Sequence, residues 1–311
     1  MMVTHSIAIQ DHYASDLLGD AATSTFPLAP DAVHASEAIG RAALRALYLE
    51  LSVYPKPGLV SFIDSGSHRD MDASTFVRSI RSLRDYFRDT ALAGMHGARF
   101  EELRRLGLAA ESRMLKATGN INTHRGAIFS MGLLSAAAGI LKSECRRISG
   151  ESLGRTVRER WGKDILSDIP SEPCSHGTLV AFRYGVPGAR QEAAAGFPRV
   201  FNTALPALRE SLSGGIDFNA AVIQTFFTLM AIVPDSNVLF RGGQEGLGYA
   251  RRAAQTFLAG GGVYRRTWQV DACGVHRDMT CRGLSPGGSA DLLALTLFAH
   301  EIIGGDSACF L

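Results

Sequence analysis

The sequence predicts an all-α fold: a single compact multi-helix domain whose site is built from loops at helix junctions. Three observations carry this expectation. Apolar residues recur at three- and four-residue spacing along most of the chain, which gathers them on single helix faces. Alternating apolar–polar runs, the pattern of a half-buried strand, are scarce. No strand, glycine-rich turn and helix follow one another, and no G-x-x-x-x-G-K-[ST] run is present, so neither a dinucleotide-binding unit nor a P-loop is expected.

The elements follow in order. Residues 1–31 are mildly acidic, rich in Ala, Ser, Thr and Asp, and end on Pro27 and Pro30; they read as a flexible lead-in to an all-helical domain over 32–311. Ile39, Ala43, Ala46, Leu47 and Leu51 form the first helical face. Phe76, Ile80, Leu83 and Phe87 form the next, followed by Leu103, Leu106, Ala110 and Leu115. The same period runs through Ile128–Leu141, Ala220–Val233, Leu247–Phe257 and Leu292–Ile303, giving about ten helices in all. The glycines, 33 of 311 residues, collect with short polar residues at the junctions between these segments.

Composition narrows the classes. With 46% hydrophobic and 20% charged residues the chain lies in the globular range. A chain of this length buries roughly 75% of its unfolded surface and needs no disulfide framework. A net charge of +2 is too balanced for a protein that coats nucleic acid. The five cysteines are scattered without a C-x-x-C, and Cys174-Ser175-His176 is too local to read as an assembled thiol nucleophile. No Lys or Arg precedes Arg41, unlike a secretory leader. The longest apolar stretch, Ala127–Leu141, is too short to span a bilayer. A cytoplasmic protein with no membrane or nucleic-acid partner is expected.

Four junctions hold the chemistry-bearing residues. The first runs from Glu50 through Tyr54-Pro55-Lys56-Pro57-Gly58-Leu59-Val60 to His68-Arg69-Asp70-Met71-Asp72. Two prolines stiffen the chain around Lys56, one of only four lysines, and present its ammonium as a point charge for phosphate. Asp64, Asp70 and Asp72 are hard oxygen donors of the kind Mg²⁺ shares with a phosphate ester, although Asp72 is also placed to cap the helix that follows. His68-Arg69-Asp70-Met71 and its echo His276-Arg277-Asp278-Met279 lack the companions of a kinase catalytic loop. In the second junction, Asn122 or Thr123 can cap the next helix, and His124 and Arg125 bring basic side chains to its first turn, a place for an anion. The third joins Asp235 and Asn237 to Arg241, suiting a metal and a phosphate together. The fourth, Ser285-Pro286-Gly287-Gly288-Ser289-Ala290-Asp291, opens the last helix with bare backbone and an acid.

Taken in order, Pro55–Val60, Gly66–Asp72, Asn122–Gly126, Asp235–Asn237 and Ser285–Leu292 resemble the triphosphoribosyl-dephospho-CoA synthase family, which serves citrate lyase or malonate decarboxylase. The resemblance spans roughly residues 40–305. Ser61 stands where the citrate-lyase branch commonly has Asp, and Arg125 where Lys is frequent; with Asp64-Ser65-Gly66-Ser67-His68, the wording is more like the malonate decarboxylase branch. What the resemblance implies is pentosyl transfer. ATP gives up adenine, its ribose C1 joins the 2′-hydroxyl of 3′-dephospho-CoA, and a separate holo-acyl-carrier transferase receives the product. It implies Mg²⁺ as cofactor, with Asp70, Asp72, Asp235, Asn237 and Asp291 as ligand candidates. Lys56, Asn122, His124, Arg125, Arg241, Ser285, Gly287, Gly288 and Ser289 are then candidates for ATP and its phosphates. Glu50, His68, Asp70 and Asp72 are candidates for catalysis, with the general base open among the three carboxylates. Two rivals remain: a Mg²⁺-dependent ADP-ribose or nucleoside hydrolase, and a non-catalytic CoA-binding helical protein. The sequence is compatible with a homo-oligomer and does not reveal the oligomeric state.

Overall fold

The computed structural model describes residues 30–169 and 176–304, and most of the lead-in read at 1–31 lies outside them, as does Cys174. The described residues hold helices and connecting loops and no strand. In order, the helices are α1 (Pro30–Ser52), α2 (Ala73–Ser82), α3 (Tyr86–Met95), α4 (Phe100–Thr118), α5 (Arg125–Ser143), α6 (Gly150–Ser167) and α7 (His176–Tyr184). They continue as α8 (Ala189–Ala194), α9 (Leu205–Ser213), α10 (Phe218–Ile232), α11 (Ser236–Ala259), α12 (Trp268–Cys281) and α13 (Gly287–Ile303), with a π turn at Val200–Ala204 and a 3-10 turn at Gly262–Tyr264.

Local chemistry sets several boundaries. Asp72 and Thr75 make a reciprocal capping box that starts α2, Ser149 and Ser152 do the same for α6, and the Asp217 carboxylate caps α10. Gly119, at φ 68°, ends α4 in the left-handed conformation. The run Phe76–Phe87, periodic in sequence, is broken in space at Leu83–Asp85, so its apolar residues belong to two helices. α11 is bent at Gly243, whose φ of 58° is outside the helical range.

The centre of the molecule is α5, buried almost end to end and packed against α1, α3, α4, α6 and α13. It is longer than the apolar stretch read from the sequence. At 19 residues it has the length and hydropathy of a bilayer-crossing helix, but 78% of that window is buried inside the fold. Its closest neighbour is α3. A Cβ on Gly139 would lie 2.0 Å from the Ala91 carbonyl oxygen, and one on Gly94 would lie 2.0 Å from that of Ala136. Two glycines, one on each helix, therefore let the backbones touch. At the other end of α5, the C-terminus of α1, the loop 53–72 and the N-termini of α11 and α13 come together.

Candidate active site

The four junctions, up to about 240 residues apart in sequence, meet around one cavity of about 1380 Å³. Glu50, His68, Asp70, Asn122, His124, Arg125, Asp235, Asn237, Arg241, Ser285, Gly287, Gly288 and Asp291 line it. The volume exceeds that of an ordinary single-ligand pocket, roughly 300–1,000 Å³.

At its inner end sits an acidic group. Asp291, just past the first turn of α13, reaches the start of α5, where the Ala127 amide donates to its carboxylate. Gly126 makes the approach possible, since a Cβ there would lie 1.9 Å from Asp291 Oδ2. The anion favoured at the start of α5 is thus in part the protein's own. Burial, with the charges of Asp235 and Glu50 nearby, pushes the Asp291 carboxyl well above the ordinary range. Asp235 is buried and raised by its burial, but its oxygens are engaged: Oδ1 accepts from the amides of Asn237 (3.0 Å) and Val238 (3.3 Å), Oδ2 from the amide (2.7 Å) and hydroxyl (2.9 Å) of Ser289. It pins the start of α11 to the start of α13.

His124 is fixed by a short relay. The Thr123 hydroxyl donates to Ser79 Oγ at 2.7 Å, which leaves the Ser79 hydrogen for His124 Nδ1 at 2.6 Å. The ring proton is therefore on Nε2, and that buried N–H has no partner. Phe76 packs edge-on against the ring at 5.0 Å. Burial, aided by the Lys56 charge, lowers the His124 pKa to about 3, so the ring is a neutral donor. His68 is fixed differently: its Nδ1 accepts from Arg241 Nη2 at 3.2 Å, and its Nε2–H donates to Ser285 Oγ at 2.8 Å. Burial and the Arg241 charge lower its pKa, outweighing the Asp70 carboxylate 3.6 Å from Nδ1. Arg241 also donates to the carbonyls of Ser67 and Gly283, both at 3.1 Å, and so locks the first junction onto the fourth. Asn122 Oδ1 accepts from the Arg125 amide at 3.2 Å, and the Arg125 side chain pairs with Glu111 at 2.5 Å.

Four candidates are placed otherwise than the sequence suggests. Lys56 is not presented to the cavity: it is 1% exposed, and its ammonium donates to Glu50 Oε1 at 2.6 Å and to the Glu50 carbonyl. The prolines turn it inward because a carboxylate is waiting there. Asp72 stands outside the cavity as the cap of α2, accepting from Thr75 and Ser74, and those bonds hold its pKa down to about 2. Asp235 accepts from three amides and one hydroxyl, the arrangement of a brace between two helix starts. Ser289 is wholly buried as the partner of that brace. The glycines of the fourth junction chiefly admit protein atoms: a Cβ on Gly287 would meet Asn237 Nδ2 at 2.3 Å. Asp64 and His276 likewise brace the first loop, with His276 Nδ1 on the Lys56 carbonyl (2.9 Å) and Nε2 facing Asp64 (3.1 Å).

Against known proteins, residues 36–310 match the family model for CitG, ATP:dephospho-CoA triphosphoribosyl transferase. A protein of Acinetobacter calcoaceticus named a probable 2-(5''-triphosphoribosyl)-3'-dephosphocoenzyme-A synthase is 41% identical over 260 residues, 84% of this chain and 89% of its own. The synthase of that name from Pectobacterium atrosepticum is 40% identical over 273 residues (85% and 88%), and that from Escherichia fergusonii 34% over 300 (93% and 99%). The chain belongs to this family. No solved structure matches it.

As a member of the family, the chain must handle a polyphosphate. Among the described residues no three His, Cys, Asp or Glu side chains group to hold a metal by themselves. Mg²⁺ carried by a phosphate ester needs only one or two protein carboxylates. Asp70, whose side chain is 61% exposed at the cavity rim, and Asn237, also in the lining, are oxygen donors that fit this use. Sequence reasoning missed Ser79, which orients His124 from mid-helix with no motif to mark it, and Arg104 and Arg190, which also line the cavity.

Proposed function

We propose that the chain transfers the triphosphoribosyl group of ATP to the 2′-hydroxyl of 3′-dephospho-CoA. The bond from ribose C1 to the purine breaks, the bond from C1 to the acceptor oxygen forms, and the hydroxyl proton ends on adenine. The observation that carries this reading is the meeting of a raised carboxyl, Asp291, with a neutral, partnerless N–H, His124, in one cavity large enough for two nucleotides. Asp291 is the proton acceptor for the hydroxyl, because burial and the neighbouring acids raise its pKa and make its carboxylate a stronger base than that of Asp72, held at about 2. His124 Nε2–H donates to the departing base or to a phosphate oxygen. Glu50, beside Asp291, favours positive charge developing on the sugar. Asp70 and Asn237 would hold Mg²⁺, which neutralises the triphosphate when bound.

The product serves malonate decarboxylase in this reading. Ser61, where the citrate-lyase branch commonly has Asp, supports that reading; its hydroxyl accepts from the amides of Ile63 (3.1 Å) and Asp64 (3.4 Å) and sets the turn that leads to His68. A holo-acyl-carrier transferase takes the product next. Free Cys145, Cys273 and Cys281 suit a cytoplasmic location. The test is direct. Purified protein with ATP, Mg²⁺ and 3′-dephospho-CoA should yield adenine and an adduct heavier by a triphosphoribosyl unit. AMP or ADP as the leaving product overturns the reading, and adenine released without the acceptor makes the protein a hydrolase.

A further inference from the structure

The cavity has a second, outer end that the chemistry above does not use. There α4 and α8 lean on the residue just past α6: Asp168 Oδ2 accepts from Arg190 Nη1 at 2.6 Å and pairs ionically with Arg104, whose Nε lies 3.2 Å away. Two guanidinium groups share one carboxylate oxygen, so this wall carries a formal charge of about +1 with donors left over. Arg190 also lies 5.7 Å from the centre of the Phe129 ring, which steadies it. One turn along α4 from Arg104 is Leu108, 54% exposed, and α7 adds Phe182, 77% exposed, to the lining of the same cavity. Glu111 continues the same face of α4 and pairs with Arg125 at the inner end. Seven residues of helix, about 10 Å, thus separate the two ends.

A wall of cations beside large exposed apolar side chains does not match a triphosphate, which has no carbon chain beyond its phosphates. It matches a diphosphate ester that continues into a long, uncharged arm. We infer that this outer end binds the acceptor: Arg104 and Arg190 face the diphosphate of dephospho-CoA, and Leu108 and Phe182 face its pantetheine arm. The inference rests on the proposed transfer, and it fixes the polarity of the cavity. ATP lies at the junctions, and the acceptor enters from the side of α4, α7 and α8 with its ribose inward.

Steady-state kinetics of two double variants test it, Arg104→Ala with Arg190→Ala and Leu108→Ser with Phe182→Ser. Each should raise KM for dephospho-CoA about tenfold or more and leave KM for ATP within about twofold. ADP, the same acceptor without its arm, supplies the control. With ADP the Leu108/Phe182 variant should equal the parent protein, while the Arg104/Arg190 variant stays impaired. A rise in KM for ATP instead would assign the wall to the triphosphate and overturn the inference, as would no change in either KM. Should the parent protein form no adduct at all, the proposed transfer falls by itself. Calorimetric binding of dephospho-CoA and of ATP to parent and variants then still decides which ligand the wall holds. Phe182→Ser alone, at a largely exposed position, serves if a double variant does not fold.

Discussion

Along a single helix, α5, two regions obey different rules. From Met131 to Leu141 it is apolar or small at every position, and it meets α3 where Gly94 and Gly139 bring backbone against backbone. From His124 to Ala127 it meets charge: Asp291 lies on Gly126 and the Ala127 amide, and Lys56 is near enough to depress His124. Glycine serves in both regions, but what it admits differs, a carbonyl in one and a carboxylate in the other. In the body the limiting quantity is volume. At the end it is the cost of holding like charges together away from water, which a purely structural helix start would not bear. Stability and function should therefore separate along α5, and substitutions at the two regions should give opposite signatures.

The largest effect belongs to the body. Gly139→Val puts atoms inside the Ala91 carbonyl, and neither backbone can move without the other. A loss of more than about 3 kcal/mol, or failure to fold, is expected in denaturant titration, with any remaining activity tracking the folded fraction. The end should behave the other way. Asp291→Asn keeps a carbonyl oxygen for the Ala127 amide but removes the proton acceptor, so kcat should fall on the order of 10²-fold or more. Stability should rise. A carboxyl raised in the folded state binds more protons folded than unfolded, so it makes the parent protein less stable as pH climbs above the unfolded carboxylate range. The variant should lack that decline, and its Tm advantage should widen from pH 4 toward neutrality. A variant that is both inactive and destabilised would show Asp291 to be a brace like Asp235.

His124 sharpens the contrast at intermediate size. Its pKa of about 3 lies below the unfolded value, so the unfolded state binds the extra proton and stability drops as pH falls below about 6.5. The slope for one proton is about 1.4 kcal/mol per pH unit. His124→Gln should lose this acid sensitivity, seen as a deficit against the parent protein that shrinks on going from pH 7 to pH 5. Ser79→Ala should preserve the fold yet release the tautomer, which ¹⁵N NMR of the ring reads directly. If the Ser79 variant keeps the Nε2–H tautomer and full kcat, the relay has no role in orienting the donor.

The two regions also differed in how legible they were. The helices were readable because burial imposes a period that the chain displays over whole segments, Ile128–Leu141 most plainly. The convergence of the four junctions was readable from their places between helices, and residues from all four do line one cavity. What could not be read was direction. Two prolines around Lys56 say that the chain is stiff, not that the ammonium points inward at Glu50. Asp235 looks like a ligand until the partners of its oxygens are known, and those on Oδ2, the Ser289 amide and hydroxyl, come from a helix about 50 residues away. Ser79 sits among ordinary helix residues, and only the fold brings it to His124. A side chain's role at such a site is set by which acceptors are already engaged, a property of the tertiary neighbours and not of the motif.

The smallest expected effect lies at Asp72, where the contrast between cap and site can be drawn within one residue type. Its Oδ1 takes the Thr75 amide at 2.9 Å, the Thr75 hydroxyl at 2.9 Å and the Ser74 hydroxyl at 2.8 Å, all local to the start of α2. Asp72→Ala should therefore cost about 1 kcal/mol, and Asp72→Asn less, because Asn caps nearly as well. Those same bonds lower the carboxyl to about 2, so the benefit is present above the unfolded value and is lost as pH falls from about 4 to 2. The gap between parent and Asp72→Ala in urea titrations should accordingly close on acidification over that range. Turnover should remain near the parent's for both variants at limiting Mg²⁺. Asp70, two residues away on the cavity rim, should do the opposite: Asp70→Asn should demand more Mg²⁺ for half-maximal rate with little change in Tm. If Asp72→Asn instead raises the Mg²⁺ requirement while leaving stability alone, the carboxylate reaches the substrate, and the start of α2 belongs to the site.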